Sequence, residues 1–172
     1  MKNLLTAATL IDTFELLTHP EGGFYRENYR ARLTLSADAL PAAYGGSRNI
    51  STAIYFLLEA GTYSAFHKIH SDECWHFYAG GQLNIYVIDS LGNMEIIRLG
   101  DDIEAGELFQ YVVPGGCWFA SEPASGVDFS FVGCTVAPGF DFRDFEMAKC
   151  AELVAEYPKF ENEIKRLCRE PA

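Results

Sequence analysis

This 172-residue chain carries a ladder of short runs of strand character, spaced about ten residues apart. Candidate strands fall near 50–59, 62–68, 73–79, 82–89, 93–99, 108–113, 117–121 and 127–136. Gly80-Gly81, Gly92-Asn93, Gly100-Asp101, Gly115-Gly116 and Ser125-Gly126 mark the turns between them. Many short strands joined this way close into a sandwich or barrel, and no long-period repeat points to a solenoid. FYRENYRA (24–31) alternates apolar and polar as a half-exposed strand does, and 34–48, rich in Ala, Ser, Gly and Pro, reads as a loop. The flanks read as helices. Over 4–17, Leu4, Leu5, Ala8, Ile11, Phe14, Leu16 and Leu17 gather roughly on one face, and His19-Pro20 stops the run. Helices are also expected over 141–156 and 159–168, the second with Phe160, Ile164 and Leu167 as its buried stripe. The expectation is one mainly β domain, with a helix at about 4–17, a barrel at about 23–137 and C-terminal helices within about 141–168.

Composition narrows the function. The net charge of −11 repels a phosphate backbone, so nucleic acid is not the expected partner. No run approaches the ~20 apolar residues of a membrane helix. Asp12 and Glu15 interrupt the apolar N-terminus, which argues for an amphipathic helix and against a signal peptide. Five cysteines (74, 117, 134, 150, 168) are odd in number and lack CxxC spacing, as expected of reduced thiols in a cytoplasm.

Chemistry concentrates in GTYSAFHKIHSDECWHFYAG, Gly61 to Gly80, which holds three of the four histidines. The stretch reads as two strands joined by the polar turn Ile69–Asp72. Side chains two apart share a strand face, so Glu73, Trp75 and Phe77 line one face and His76 and Cys74 the other. If the strands form a hairpin that closes a barrel, His67 and Glu73 point into its mouth. A buried histidine beside a carboxylate can hold and pass a proton near neutral pH. A plain alternative is a structural hydrogen bond between two strands.

These residues resemble the first motif of the cupin superfamily, with Gly61, His67, Glu73 and Gly80 at the motif's spacings. Ile69 stands where the motif's second histidine belongs, with His70 one residue late. In the second motif Pro114 and Gly116 are present, and Phe119 replaces the third histidine. HPEGGFYRE (19–27), STAIYFLLEAG (51–61), DECWHFYAG (72–80), VPGGCWFA (113–120) and VGCTVAPGFDFRDFE (132–146) resemble the uncharacterised cupin-5 group. The resemblance implies a cupin jelly-roll barrel with outer helices, a small-molecule pocket, and a homodimer with residues 22–31 at or near its interface.

Cupin metal sites take three histidines and a carboxylate. The resemblance leaves only His67 and Glu73 in place, with water or Cys117 to complete a set, so no metal is the primary expectation. A divalent transition metal held by His67 and Glu73 is the alternative. Cupins similar in fold also include metal-free epimerases that use a histidine and a tyrosine. On that likeness His67 and Glu73 are the expected catalytic pair, and the acid is open among Tyr25, Tyr55 and Tyr63. Tyr25, Arg26, Tyr55, Trp75, Phe77, Cys117 and Phe119 are the expected ligand-binding residues. The expected activity is metal-independent isomerisation or epimerisation of a sugar-like or carbonyl compound. The alternatives are a ligand-binding module without turnover and a metal-dependent enzyme with a reduced ligand set.

Overall fold

A computed structural model describes residues 5–169. Its elements are α1 (Ala7–Phe14), β1 (Leu17–Thr18), β2 (Phe24–Arg30), β3 (Thr34–Leu35), β4 (Arg48–Asn49), β5 (Thr52–Glu59), β6 (Ser64–Lys68) and β7 (Asp72–Gly80). Then follow β8 (Leu83–Ile88), β9 (Met94–Leu99), β10 (Gln110–Val113), β11 (Trp118–Pro123), β12 (Phe129–Ala137), β13 (Glu146–Met147), α2 (Cys150–Glu156) and α3 (Glu161–Leu167). Two antiparallel sheets face each other, ordered β1-β2-β5-β12-β7-β10 and β13-β6-β11-β8-β9. This is the jelly-roll architecture expected from the strand ladder.

The facing sheets enclose the main core, where Phe56, Trp75, Ile85, Leu99, Phe119 and Val132 meet. The outer faces are covered as well. Helices α2 and α3 set Leu153, Ile164 and Leu167 against Phe66, Tyr86 and Ile88 of the five-stranded sheet. Helix α1 sets Leu10, with Leu16 just beyond it, on Leu57, Phe129 and Phe131 of the six-stranded sheet. Double cover explains why β6, β8 and β12 are buried along nearly their whole length.

Three local expectations change. Helix α1 is shorter than 4–17: Thr6 caps its start through Oγ1, and Glu15 ends it in a left-handed conformation. Leu17 is then free to pair as a strand with Tyr25, and it is exposed. Leu4 lies outside the described residues. The segment 141–149 is not helical; it makes a short 3₁₀ turn at Phe142–Asp144 and then β13, which pairs with Lys68 and His67. The loop 34–48 carries β3, two 3₁₀ turns and the start of β4.

The largest correction concerns β6 and β7. They do not form a hairpin. β6 pairs with β11 and β13, whereas β7 pairs with β12 and β10 in the opposite sheet. The connection between them crosses the sandwich, and Ile69 in that connection is core rather than polar turn.

Candidate functional site

Between the sheets lies a cavity of about 350 Å³, at the small end of ligand pockets. Its polar lining includes His19, Glu21, Thr52, His67, Glu73 and Cys134, and Tyr25, Phe140, Phe142 and Phe145 contribute aromatic walls. His67 and Glu73 enter from opposite sheets, each pointing inward by strand alternation. Glu21 enters from the turn before β2. The backbone there is tightly pinned: Ala65 N–H donates to Glu21 C=O at 2.9 Å. At Gly22, φ is +118° and a Cβ would fall 2.1 Å from Tyr63 O, so only glycine fits.

Glu21 is the residue that pairs with His67. His67 Nε2 lies 3.2 Å from Glu21 Oε2, and Ser64 Oγ donates to Glu21 Oε1 at 2.8 Å. His67 Nδ1 is 2.7 Å from Ala65 C=O, which can only accept, so Nδ1 carries the ring hydrogen. The neutral ring's Nε2 is therefore an acceptor, and one proton bridges it to Glu21. His19 Nδ1 accepts Glu21 N–H at 3.3 Å, which leaves its own hydrogen on Nε2.

Burial governs the protonation states. It pulls the His67 imidazole down to about 4, against the opposing effect of the Ala65 carbonyl. It pushes the Glu21 carboxyl up and His19 down. Burial, then repulsion from Glu21, pushes Glu73 up to about 8, although a hydrogen bond with the Cys134 thiol opposes the rise. At neutral pH Glu73 is thus protonated, His67 and His19 are neutral, and Glu21 is displaced toward its protonated form.

Of the expected ligand-binding residues, Tyr25 lines the cavity, edge-on to His19 at 4.6 Å between ring centroids. The other six lie elsewhere. Arg26 is on the outer surface, paired with Glu15. Tyr55 packs on Phe14 and Phe131 beneath α1, because even and odd positions of β5 face opposite ways. Trp75 is core, 1% exposed, against Phe56 and Phe119. Phe77 and Cys117 pack against or within the same core. Phe119 lies behind the site, its ring 4.1 Å from that of His67. Among the acid candidates, Tyr63 is on the far side, donating to Cys168 C=O. His76 bonds Thr135 on the outer face, and exposed His70 packs on Tyr44.

The donor set does not fit a three-histidine metal site. Ile69 and Phe119 occupy the two missing positions as packed core, and His67 Nε2 is already turned onto Glu21. Among the described residues, no three His, Cys, Asp or Glu side chains are grouped to hold a metal.

Sequence reading takes His19 for a helix stop and passes over Glu21. The available signal was the Gly22-Gly23 pair beside a histidine and a glutamate, in a segment that already resembled the cupin-5 group. Phe142 and Phe145 were missed because a helix was expected over 141–156, and Phe140 stands just before it.

No described helix is long and apolar enough to cross a membrane. An uncharacterised protein of Saccharomyces cerevisiae is 32% identical over 151 residues, covering 81% of this chain and 74% of the yeast protein. A hypothetical protein from Leishmania major superposes with a TM-score of 0.87 at 36% identity, covering 96% of this chain and 100% of its own. A Shewanella oneidensis protein superposes equally well, TM-score 0.87 at 39% identity, covering 98% of this chain and 100% of its own. Oxalate decarboxylase from Bacillus subtilis shares the fold at 15% identity, TM-score 0.53, covering 87% of this chain and 36% of that one. The cupin superfamily model DUF985 matches residues 8–148, and the chain belongs to that family.

Proposed function

We propose that the cavity binds a small carbonyl or sugar-like compound and that the protein isomerises or epimerises it by proton transfer, without a metal. The observation that carries this reading is the Glu21–His67 pair on one wall with protonated Glu73 entering from the opposite sheet. In the forward step Glu73 gives its proton to the substrate carbonyl oxygen. The Glu21–His67 pair takes the proton from the neighbouring carbon. The C–H electron pair becomes the C=C bond of a neutral enol, and the carbonyl π pair takes up the Glu73 proton. The pair then returns its proton to carbon, the C=C electron pair forms the new C–H bond, the C=O bond re-forms, and Glu73 takes back a hydroxyl proton, so both groups are restored. Acid and base act together because a lone charge in a desolvated cavity is expensive. Tyr25 orients the substrate from the cavity wall.

The protein acts as a homodimer joined through the β2 edge. A reducing cytoplasm suits the thiols of Cys74, Cys117, Cys134 and Cys150.

The test is hydrogen exchange in D₂O. Carbonyl compounds and sugars that raise the melting temperature are incubated with the protein, and carbon-bound deuterium is read by NMR. Incorporation that is lost in His67→Ala and Glu73→Gln is the expected result. Bound compounds that never exchange would make the protein a carrier and end the enzymatic reading.

A further inference from the structure

The cavity has one arginine or lysine among its described lining residues, Arg30. A cation in a pocket wall ordinarily suggests a clamp for carboxylate or phosphate. Arg30 is not available for that. Its Nε–H donates to Glu27 Oε1 at 2.8 Å, and Nη2 donates to Glu27 Oε2 at 2.6 Å. Nη1 donates to Asn49 Oδ1 at 2.8 Å, and both Nη atoms reach Phe140 C=O at 3.2 Å. A guanidinium has five N–H donors, and all five are committed. Arg30 therefore clasps β2, β4 and the Phe140 segment together and presents no free donor inward. Its charge is balanced by Glu27 beside it, and Asp141, a further acidic residue of the lining, is itself paired with Arg143.

The polar groups that do face the cavity lack a fixed positive charge. His19 and His67 are held neutral by burial. Thr52 Oγ1 accepts Phe140 N–H at 2.9 Å, so its hydroxyl hydrogen remains for another acceptor. Protonated Glu73 and the Tyr25 hydroxyl are donors of the same neutral kind. A site of neutral donors matches the lone pairs of carbonyl, hydroxyl and ether oxygens. An anion would enter a desolvated pocket without a counter-charge.

We propose that the cavity takes an uncharged oxygen-bearing ligand, a sugar, polyol, aldehyde or ketone, and turns away carboxylates and phosphate esters. This rests on the cavity being the ligand site, as the proposed function has it.

The experiment is thermal shift and calorimetry at pH 7 with matched probe sets. One set is glucose, gluconate and glucose 6-phosphate, and another is glyceraldehyde, glycerate and glyceraldehyde 3-phosphate. A panel of other neutral polyols, aldehydes and ketones accompanies them, each with its acid. The expected result is that an uncharged probe binds and its acid or phosphate ester binds roughly tenfold or more weakly, about 1.4 kcal/mol. An anion that binds more tightly than its neutral partner overturns the proposal, and so does a panel in which no uncharged compound binds. Deuterium exchange on the same probes separates the two readings. A neutral ligand that binds without exchange removes the proton-transfer function and leaves the ligand class standing. An anion that binds and exchanges does the reverse.

Discussion

His67 Nε2 lies 3.2 Å from Glu21 Oε2, while Nδ1 of the same ring is engaged by the Ala65 carbonyl at 2.7 Å. One ring nitrogen is fixed as a donor, so the other shares a single proton with the carboxyl. The pair joins β6 to the turn before β2, and Glu73 faces it from the second sheet. The expected His67–Glu73 pairing is thereby replaced by a His67–Glu21 pair with Glu73 as a separate acid.

Glu21→Gln tests the shared proton. Glutamine accepts from Ser64 through its carbonyl and donates to His67 through its amide, reproducing a protonated Glu21. Its cost should stay within about 1 kcal/mol, whereas Glu21→Ala should cost about 1–3 kcal/mol by leaving buried partners unsatisfied. Urea denaturation of both variants gives the comparison. A Gln variant as unstable as the Ala variant would mean that the native pair is ionic.

The histidines should separate by position. His67→Ala should abolish ligand binding and turnover at a stability cost of about 1–3 kcal/mol, since it strips Glu21 of its ring partner. His76→Ala removes only an outer-face bond to Thr135 and should leave both nearly unchanged. His70→Ala, at an exposed ring, should do the same. Ligand titrations of the three variants check the order, and a larger loss from His76 than from His67 would contradict the strand faces described above.

Stability should fall as pH rises above neutrality. Glu73 ionises near 4.5 when unfolded and is pushed up to about 8 by burial in the fold. The folded state therefore holds its proton more tightly, and this contribution is full below pH 4.5 and lost as pH rises to 8. His67, brought from 6.5 down to about 4, works in the opposite sense. Its contribution is present above pH 6.5 and lost as pH falls. The two slopes oppose each other below 6.5; Glu21, also pushed up by burial, acts in the sense of Glu73, and His19, pushed down, in the sense of His67. Between pH 6.5 and 8 the Glu73 slope stands out, a loss of about 2 kcal/mol. Denaturant titrations across that range should show it, and Glu73→Gln should flatten it. A wild-type curve that is flat or rising there would refute the assignment.

The 3₁₀ turn that carries Phe142 into the cavity wall also holds a buried ion pair. Arg48 Nε and Nη2 donate to the two Asp144 oxygens at 2.7 and 2.6 Å, with both side chains at most 4% exposed. Arg48→Met leaves Asp144 buried and uncompensated and should cost about 3–5 kcal/mol. Arg48→Met combined with Asp144→Leu should recover most of that loss. Calorimetric melting of the single and double variants measures the coupling; simple additivity would show that the pair does not anchor the turn.

The dimer should involve β2. Its outer edge pairs only at Phe24 and Tyr25 with two-residue β1, leaving Arg26–Arg30 beyond the pairing, and Leu17 and Tyr29 are exposed beside it. Light scattering should give twice the chain mass, and Leu17→Asp with Tyr29→Asp should shift it toward monomer. A wild-type monomer at micromolar concentration would count against this interface.

The strand ladder and the facing of side chains along each strand were legible in the order of residues alone. His67 and Glu73 inward and His76 outward follow from alternation, a strictly local property of period two. The same locality explains why the strand pairing was not legible there. Alternation says nothing of which strands pair, so a hairpin between β6 and β7 was as consistent with it as the observed crossing between sheets. Trp75 and Phe119 face inward as expected, yet packing buried them as core behind the cavity. Glu21 looks like an ordinary turn residue until Gly22, at a φ that excludes a side chain, brings its backbone against Ala65 and its carboxyl to His67. Arg30 looks like a solvated edge residue until Asn49 and Phe140, distant in sequence, take up its donors beside Glu27. Partner choice is long-range because it depends on which surfaces the whole fold desolvates together, and no window of neighbouring residues carries that information.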